Sequence, residues 1–356
     1  MKNRKAMEPM GEEYIYYNAK LYNNTNAPLL ATLNDTRARS LLSSCCDYKC
    51  SIIRFSVNGS LLPLLVPKIL NQLGPPPYIT NYSVTLSFGG FSFVAPVIFT
   101  APTNNQIKLA YYYFNAFIDD LNNAFQAAYV GLSGLVAVPA PNAPVMVWNP
   151  QSQLFTLFFN EAYITNNIII SMNYDLFNLF QSFQTSFNGY FSAFGRDNDL
   201  IITSNNTVGA PFSAGSLSQK AAALTAPFVG LQQEFSSLTN WSPVASFYFT
   251  SYQIPIRNEN LPIVSTSNQS VIVNNNVLPV ITDFEPILGS DYEFNRGQTQ
   301  YLPTGGTYRY LTLESDINLN TIDLQCYWTD KEGQSFPLLI DLGYYISVKI
   351  LFEMIK

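Results

Sequence analysis

The sequence has no histidine and little charge. None of the 356 residues is histidine, and Asp, Glu, Lys and Arg together make up 12% of the chain. That share is about half the roughly 25% that is usual in globular proteins. Without histidine the chain lacks the commonest general base and the commonest metal ligand. Catalysis would therefore have to rely on carboxylates, lysine, tyrosine or a thiol.

Basic residues are especially scarce. The 18 Lys and Arg residues against 24 Asp and Glu give a net charge of -6 and a pI near 4.7. The one cluster of basic residues in the sequence is Lys2-Asn3-Arg4-Lys5. Because binding that depends on phosphate neutralisation needs several well-placed cations, the sequence predicts no strong direct binding to nucleic acid.

The sequence also shows no signal peptide and no membrane-spanning run. Residues Met1–Tyr14 carry charges and lack the apolar core of a signal peptide. The most apolar stretches, Ser60–Leu70 and Val130–Val147, are shorter than the ~20 residues of a membrane helix or are interrupted by proline. We therefore expect synthesis in a cytosol.

The four cysteines do not form a metal-binding pattern. Cys45, Cys46 and Cys50 lie close together in sequence, and Cys326 is distant. A zinc site would need a Cys-x2-Cys pair or histidine partners, and disulfides are rare in cytosolic proteins. The sequence predicts reduced, partly buried thiols, no metal site and no cofactor.

Aromatic residues and amides are abundant, in short apolar segments separated by turn residues, which is typical of an all-β protein. Gly89-Gly90 predicts a two-residue hairpin, because both glycines can take the positive φ of a type I′ turn. Asn149–Ser152 predicts a longer hairpin, and Asp330–Gly333 a turn with glycine in the left-handed region. The predicted strands are Glu13–Leu21, Lys49–Val57, Tyr82–Phe88, Phe91–Phe99, Val145–Trp148, Leu154–Phe159, Ile168–Met172, Leu200–Ser204, Ala245–Ile256, Val271–Asn274, Val280–Phe284, Thr307–Glu314, Thr321–Trp328, Ser335–Ile340 and Tyr344–Phe352.

Three helical insertions are predicted between these strands. One lies near residues 112–132, where apolar side chains recur every three or four residues. A second follows the aromatic stripe from Tyr174 to Phe187, and a third, near 216–238, comprises Gln219–Ala226 and Val229–Leu238. We interpret all three apolar stripes as faces that pack on a sheet. The polar side of the first helix is predicted to hold Asp119, Asp120, Asn122 and Asn123.

The number and spacing of the strands predict an all-β fold of two jelly-roll-like antiparallel β-sandwiches with short helical insertions. The predicted first sandwich spans residues 12–173, a helical connection spans 174–199, and the second sandwich spans 200–356. A single jelly roll with large insertions is the alternative. The segment Thr307–Phe352 is predicted to be a meander of three strands with Trp328 facing inward. Alternation places Ile322, Leu324 and Cys326 on the same side as Trp328, and Asp323, Gln325 and Tyr327 on the other.

The best candidate for chemistry is an acidic cluster. Asp283-Phe284-Glu285 is followed by Asp291-Tyr292-Glu293, and paired carboxylates could serve glycoside hydrolysis or bind a hard cation. The neighbouring Pro286, Gly289 and Ser290 favour a solvated loop. A second candidate, Tyr111-Tyr112-Tyr113, could stack on bases, but no cationic groove accompanies it, which favours the core or a subunit interface. We predict no catalytic residue and no enzyme.

Several segments resemble structural proteins of icosahedral viruses. They are Ser51–Val57, Trp241–Val244 with Phe249–Ser251, Tyr308–Ser315, Ile322–Trp328 and Val348–Phe352. The overall layout is similar to the double jelly-roll major capsid proteins of membrane-containing DNA viruses and phages. In that family two sandwiches stand perpendicular to the shell, and three copies form a capsomer. An internal membrane separates shell from genome there, so no long basic arm is needed.

The resemblance implies a capsid protein that assembles through aromatic and apolar loop surfaces. Its expected partners are copies of itself in a trimeric capsomer, other capsid proteins, and an internal viral membrane at one end. The expected location is the virion, after assembly in the cytoplasm or nucleus of a host. A minor capsid or penton protein would share these features. A receptor- or glycan-binding β-sandwich of a virion surface is also compatible with the sequence, and so is a carboxylate-dependent hydrolase.

Overall fold

The computed structural model describes residues 14–71, 76–100, 109–187, 189–202, 228–260, 264–265, 271–272, 277–284, 298–301 and 309–355. Antiparallel strands dominate these residues. The α-helices are α1 (Phe114–Ser133), α2 (Ala162–Thr165) and α3 (Tyr174–Leu179). In chain order the strands are β1 (Tyr14–Tyr22), β2 (Leu29–Leu30), β3 (Thr32–Thr36), β4 (Tyr48–Asn58), β5 (Tyr78–Phe88), β6 (Phe91–Phe99), β7 (Val145–Asn149), β8 (Leu154–Asn160), β9 (Ile169–Asn173), β10 (Thr185–Ser186), β11 (Phe191–Ser192), β12 (Gly195–Leu200), β13 (Phe228–Gln232), β14 (Val244–Thr250), β15 (Glu259–Asn260), β16 (Val264–Ser265), β17 (Val271–Ile272), β18 (Val277–Leu278), β19 (Val280–Phe284), β20 (Gln298–Tyr301), β21 (Leu311–Thr312), β22 (Thr321–Asp330), β23 (Ser335–Pro337), β24 (Leu339–Ile340) and β25 (Tyr345–Met354).

The chain forms two compact units. Unit 1 consists of Met1–Leu62 together with Pro243–Lys356, and unit 2 consists of Pro63–Ser242. Unit 2 is therefore inserted in the sequence of unit 1. The two parts of unit 1 are joined by strand pairing, because β25 lies between β1 and β4 in one sheet.

Unit 1 is a sandwich of two antiparallel sheets. One sheet has the order β1-β25-β4-β20, with β21 also paired to β4. The other has the order β19-β14-β22-β23, with β3 also paired to β22. The sheets meet around Phe55 of the first, whose ring centroid lies 4.9 Å from that of Phe249 and 6.2 Å from that of Phe284 in the second. Alternation along the strands supplies this shared apolar core.

Unit 2 combines a six-stranded and a three-stranded antiparallel sheet with α1. The larger sheet has the order β10-β12-β9-β5-β6, with β11 also paired to β12, and the smaller has the order β13-β8-β7. The core centres on Trp241, which is 1% exposed and whose ring lies 5.1 Å from that of Phe117 on α1. The Trp241 indole N–H donates a 2.9 Å hydrogen bond to the carbonyl of Leu179, so the buried donor is satisfied.

Many local predictions are confirmed, and so is the all-β class with antiparallel sandwiches and helical insertions. The strand Phe91–Phe99 has the predicted bounds, and Gly89 and Gly90 join it to β5 with φ of 60° and 83°. Helix α1 lies within two residues of the predicted bounds, and most of its apolar stripe is buried. Strand β22 alternates as predicted, with Trp328 facing inward at 6% exposure. On its inner side lie Ile322, Leu324 and Cys326, all buried, and on its outer side lie Asp323, Gln325 and Tyr327, all half-buried.

The predicted domain boundaries and C-terminal meander do not match this arrangement. Residues 174–199 were predicted to be a helical connection, yet they lie within unit 2 and contribute α3 and then β10, β11 and part of β12 to it. The predicted meander of 307–352 is also wrong. Strand β23 pairs with β22, but β25 belongs to the other sheet, beside β1 and β4. Counting strands along the sequence could not detect pairing between residues more than 300 positions apart.

Two helical predictions are corrected as well. The predicted helix Val229–Leu238 is instead strand β13, which pairs with β8, and a short 3-10 turn; Gln219–Ala226 lies outside the described residues. On α1, Asp120 and Asn122 were predicted to lie on the polar side, opposite the apolar stripe, yet both are buried. Asp120 accepts hydrogen bonds from the hydroxyls of Tyr111 (2.8 Å) and Thr100 (2.7 Å), and Asn122 pairs with the backbone of Met146. Burial of these polar groups is possible because each has partners.

Candidate assembly surfaces

A group of exposed aromatic residues lies around the β11–β12 hairpin of unit 2. Phe187, Tyr190 and Phe191 are 42%, 42% and 65% exposed. The Phe187 and Phe191 rings meet edge to face at 5.7 Å, and the guanidinium of Arg196 lies 4.0 Å from the centroid of Phe187. We call these four residues the aromatic hairpin. Large apolar side chains grouped in water mark interaction sites more often than scattered ones do.

The polar residues under the aromatic hairpin fix its position. Ser192 donates a 3.0 Å hydrogen bond to the carboxylate of Asp197, which also accepts a 2.7 Å bond from Thr85 on β5. Gly195 turns the chain with φ of 100°, a value that side-chain-bearing residues rarely adopt. These hydrogen bonds connect the hairpin to β5 in the six-stranded sheet. They restrict the positions of the residues that carry the aromatic side chains.

Two buried carboxylates lie side by side on β12. Asp197 is fully buried, and Asp199 accepts a 2.6 Å hydrogen bond from Ser171. Burial raises the pKa of Asp197 above its ordinary value, and the nearby charge of Asp199 adds to the effect, whereas the bonds from Thr85 and Ser192 oppose it. Every partner named here is a hydroxyl group. These hydroxyl groups satisfy both carboxylates as structural partners.

The predicted acidic cluster is only partly described. Asp283 lies on the outer side of β19 and accepts a 3.2 Å hydrogen bond from Arg309. Arg309 also pairs with Glu259. Glu285, Asp291 and Glu293 lie outside the described residues, so the structure does not test the hydrolase hypothesis.

Tyr111 occupies the core position that the sequence favoured for the tyrosine run, and the thiols are free and partly buried as predicted. Tyr111 is 3% exposed and donates to Asp120, as a core residue does, while Tyr113 is exposed. Cys45, Cys50 and Cys326 are buried and Cys46 is exposed, all as free thiols. Burial raises the pKa of Cys45 to about 11 and that of Cys50 to about 12.

Neither a metal centre nor a membrane helix is among the features of the described residues. No three Cys, Asp or Glu side chains there come together as ligands for a metal ion. No helix in the same part of the chain has both the length and the apolar character needed to cross a membrane.

The sequence family described as Sputnik minor capsid protein V18/19 matches residues 15–354. The chain belongs to this family. A relative, structural protein V19 of the Sputnik virophage, is 28% identical over 211 residues, which are 58% of this chain and 91% of that protein. The resemblance to viral capsid proteins predicted from the sequence is confirmed, and the family is that of minor capsid proteins.

Two solved structures share the fold. A chain in the 3.5 Å cryo-EM structure of the Sputnik virophage has a TM-score of 0.77 and 24% identity, covering 96% of this chain and 98% of that one. The crystal structure of the mavirus penton protein has a TM-score of 0.65 and 17% identity, covering 97% of this chain and 100% of that one. Family and fold together make the chain a structural protein of a virus shell, located in the virion with other capsid proteins.

The aromatic hairpin was missed at the sequence level because the aromatic residues from Tyr174 to Phe187 have helical spacing. Helix α3 ends at Leu179. Phe180 and Phe183 are buried in the core but lie beyond the end of the helix. Two sequence signals could have revealed the hairpin. The dipeptide Asn188-Gly189 and Gly195 are turn formers on either side of a short aromatic segment.

Proposed function

We propose that the chain is a minor component of its shell that occupies vertices, as a penton does, and closes there into a ring of copies. The full-length likeness of its fold to the mavirus penton protein carries this proposal. The minor capsid family supports it. The trimeric capsomer predicted from the sequence is the competing proposal. Both are closed cyclic assemblies and need a surface that meets a different surface of the next copy.

The aromatic hairpin supports assembly through loop surfaces. Phenylalanine, tyrosine and arginine are enriched at protein interfaces, and a few such residues supply most of the binding energy. The proposed role needs no catalysis, and the buried carboxylates of β12 have structural partners. Contact with an internal membrane at one end, weak contact with nucleic acid, and assembly in the cytoplasm or nucleus of a host stay predictions from the sequence.

The mass of the purified assembly tests the proposal. Light scattering coupled to size exclusion should give five times the 39.9 kDa of one chain for the ring, and three times that mass for the capsomer. Quantitative mass spectrometry of purified particles should find far fewer copies of this chain than of the major shell protein. A monomer in solution that is also absent from particles would contradict the proposal, and copy numbers equal to those of the major protein would contradict the minor role.

A further inference from the structure

The outer face of the first sheet of unit 1 carries an unusual set of side chains. Alternation along β1 points Tyr14, Tyr16, Lys20 and Tyr22 away from the core, whereas Tyr17 is 3% exposed. The three outward tyrosines are 48%, 53% and 52% exposed. Lys349 on β25 and Arg54 on β4 point to the same side. Their neighbours in sequence, Val348 and Phe55, are in the core, and successive side chains of a strand point to opposite faces. We call this surface the cationic sheet face.

Two of its cations lie side by side on adjacent strands of the same face. Lys349 and Arg54 are direct partners in the antiparallel register of β25 and β4. Lys20 lies opposite Ser347, one outward position from Lys349. Within the described residues none of these three cations forms an ion pair with a carboxylate. Like charges placed directly opposite destabilise a sheet, so this arrangement weakens the isolated fold.

The opposite end of the same face shows a balanced arrangement. There Lys49 is the direct partner of Glu353, and the ammonium lies 3.2 Å from the carboxylate. The same two strands therefore carry a complementary pair at one end and a repulsive pair at the other. A bound anionic group would remove the repulsion at the second end.

The tyrosines are arranged around these cations. The ammonium of Lys349 lies 4.6 Å from the ring centroid of Tyr16, and that of Lys20 lies 3.9 Å from that of Tyr345. Each ring thus has an ammonium over one of its faces, which leaves a poor platform for stacking bases. The exposed large apolar side chains of β1 are all tyrosines, without the Trp, Phe or Leu by which surfaces insert into lipid. Tyrosine and arginine are instead the typical anchors of protein interfaces.

We propose that the cationic sheet face binds a carboxylate-rich surface of a neighbouring subunit of the shell. Charge complementarity selects this partner, because three clustered cations in a chain of net charge -6 favour an acidic surface. The same face of a second copy cannot be the occupant, since like charges would meet. The contact therefore joins two different surfaces, the kind of contact that builds rings. The inference rests on the proposed place of the chain in a shell.

Chemical cross-linking of intact particles tests which group lies on the face. A zero-length carbodiimide joins a lysine to a carboxylate only when the two are in direct contact. Lys20 and Lys349 should be found linked to Asp or Glu of a neighbouring shell protein, and both should resist acetylation in particles. Lys331, exposed in the turn between β22 and β23, is the control for reagent access.

Acetylation of Lys20 and Lys349 in particles as fast as in the isolated chain would overturn the inference. Protection without such links that disappears with detergent or nuclease would also overturn it, in favour of lipid or nucleic acid.

A neutral double variant separates binding from folding. In R54Q/K349Q the repulsion is gone, so the thermal midpoint should equal or exceed that of the wild type. Its incorporation into particles should nevertheless fall by about tenfold or more, because the complementary charges are lost. Lys331→Gln is the matched control and should be incorporated normally. Normal incorporation of R54Q/K349Q would overturn the face as an interface but leave the proposed function intact. Failure of the wild-type chain to enter particles would instead refute the proposed function.

Discussion

The hydroxyl of Thr85 donates a 2.7 Å hydrogen bond to the carboxylate of Asp197, a residue 112 positions later in the sequence and fully buried. Together with the bond from Ser192 it connects the aromatic hairpin to the middle of the six-stranded sheet. Hydroxyl donors partly compensate a buried carboxylate, but they bring no positive charge. The cost of removing this carboxylate from water is therefore only partly offset, and the pKa of Asp197 is raised.

Asp197→Asn is expected to raise the thermal midpoint of the protein at pH 7 by a few degrees. The pKa of Asp197 is raised in the folded state. The folded protein therefore binds a proton more readily than the unfolded chain, and the contribution of this group to stability grows as the pH falls toward the ordinary value near 4. The advantage of the variant should accordingly shrink when melting is measured at pH 5 and then nearer pH 4.

Glu161→Gln, at an exposed carboxylate of the same unit, serves as the control and should shift the midpoint little at either pH. A lower midpoint for Asp197→Asn at pH 7 would show that the charge itself is stabilised by its surroundings, contrary to this expectation.

Much of the local structure followed from the sequence, because it depends on near neighbours. The Gly89-Gly90 turn, the helix from Phe114 and the alternation along β22 are properties of a few consecutive residues. Pairing of β25 with β1 and β4 is a long-range property without a local signal, so the domain boundaries predicted from the sequence were misplaced. The cationic sheet face was missed for the same reason, since Arg54 and Lys349 meet only through that pairing.

Trp328→Ala should lower the free energy of unfolding by about 3–5 kcal/mol, as large aromatic deletions in cores do. Trp328 is 6% exposed and stacks on Phe336 with ring centroids 4.7 Å apart. Urea unfolding of the purified chain would measure the loss. Asn34→Ala, at an exposed position on the neighbouring strand β3, should change stability by less than about 0.5 kcal/mol. Equal effects of the two substitutions would refute the assignment of Trp328 to the core.

Gly131→Ala should destabilise unit 2, although alanine favours a helix over glycine by about 1 kcal/mol. A Cβ atom at position 131 of α1 would lie 2.5 Å from ring carbons of Phe93 on β6. The ring would have to leave the helix surface. In a Phe93→Ala background that obstacle is absent, so Gly131→Ala should then stabilise the protein. A double-mutant cycle of thermal midpoints checks the change of sign, and the same sign in both backgrounds would contradict the close approach.

One thiol of the four should react with a disulfide reagent in the native protein. Cys46 is exposed, whereas burial makes Cys45, Cys50 and Cys326 inaccessible and raises the pKa of each. A hydrogen bond with Asp316 raises the pKa of Cys46, so Asp316→Asn should speed its reaction at pH 7–8. Spectrophotometric titration should find no fast thiol in Cys46→Ser and four in the denatured wild type. Two or more thiols of equal rate in the native chain would contradict the described burial.

Loss of the exposed rings of the aromatic hairpin should weaken assembly without weakening the fold. Phe187 and Phe191 are exposed and contact each other, so replacing both by alanine removes little buried surface from one chain. The thermal midpoint of Phe187→Ala/Phe191→Ala should remain within a few degrees of the wild type, while the assembled fraction in size exclusion falls. Phe235→Ala is the matched control, since Phe235 is a 59% exposed phenylalanine of the same unit outside the hairpin. If Phe235→Ala impairs assembly as much as the double variant, exposed aromatic surface in general, rather than this hairpin, drives association.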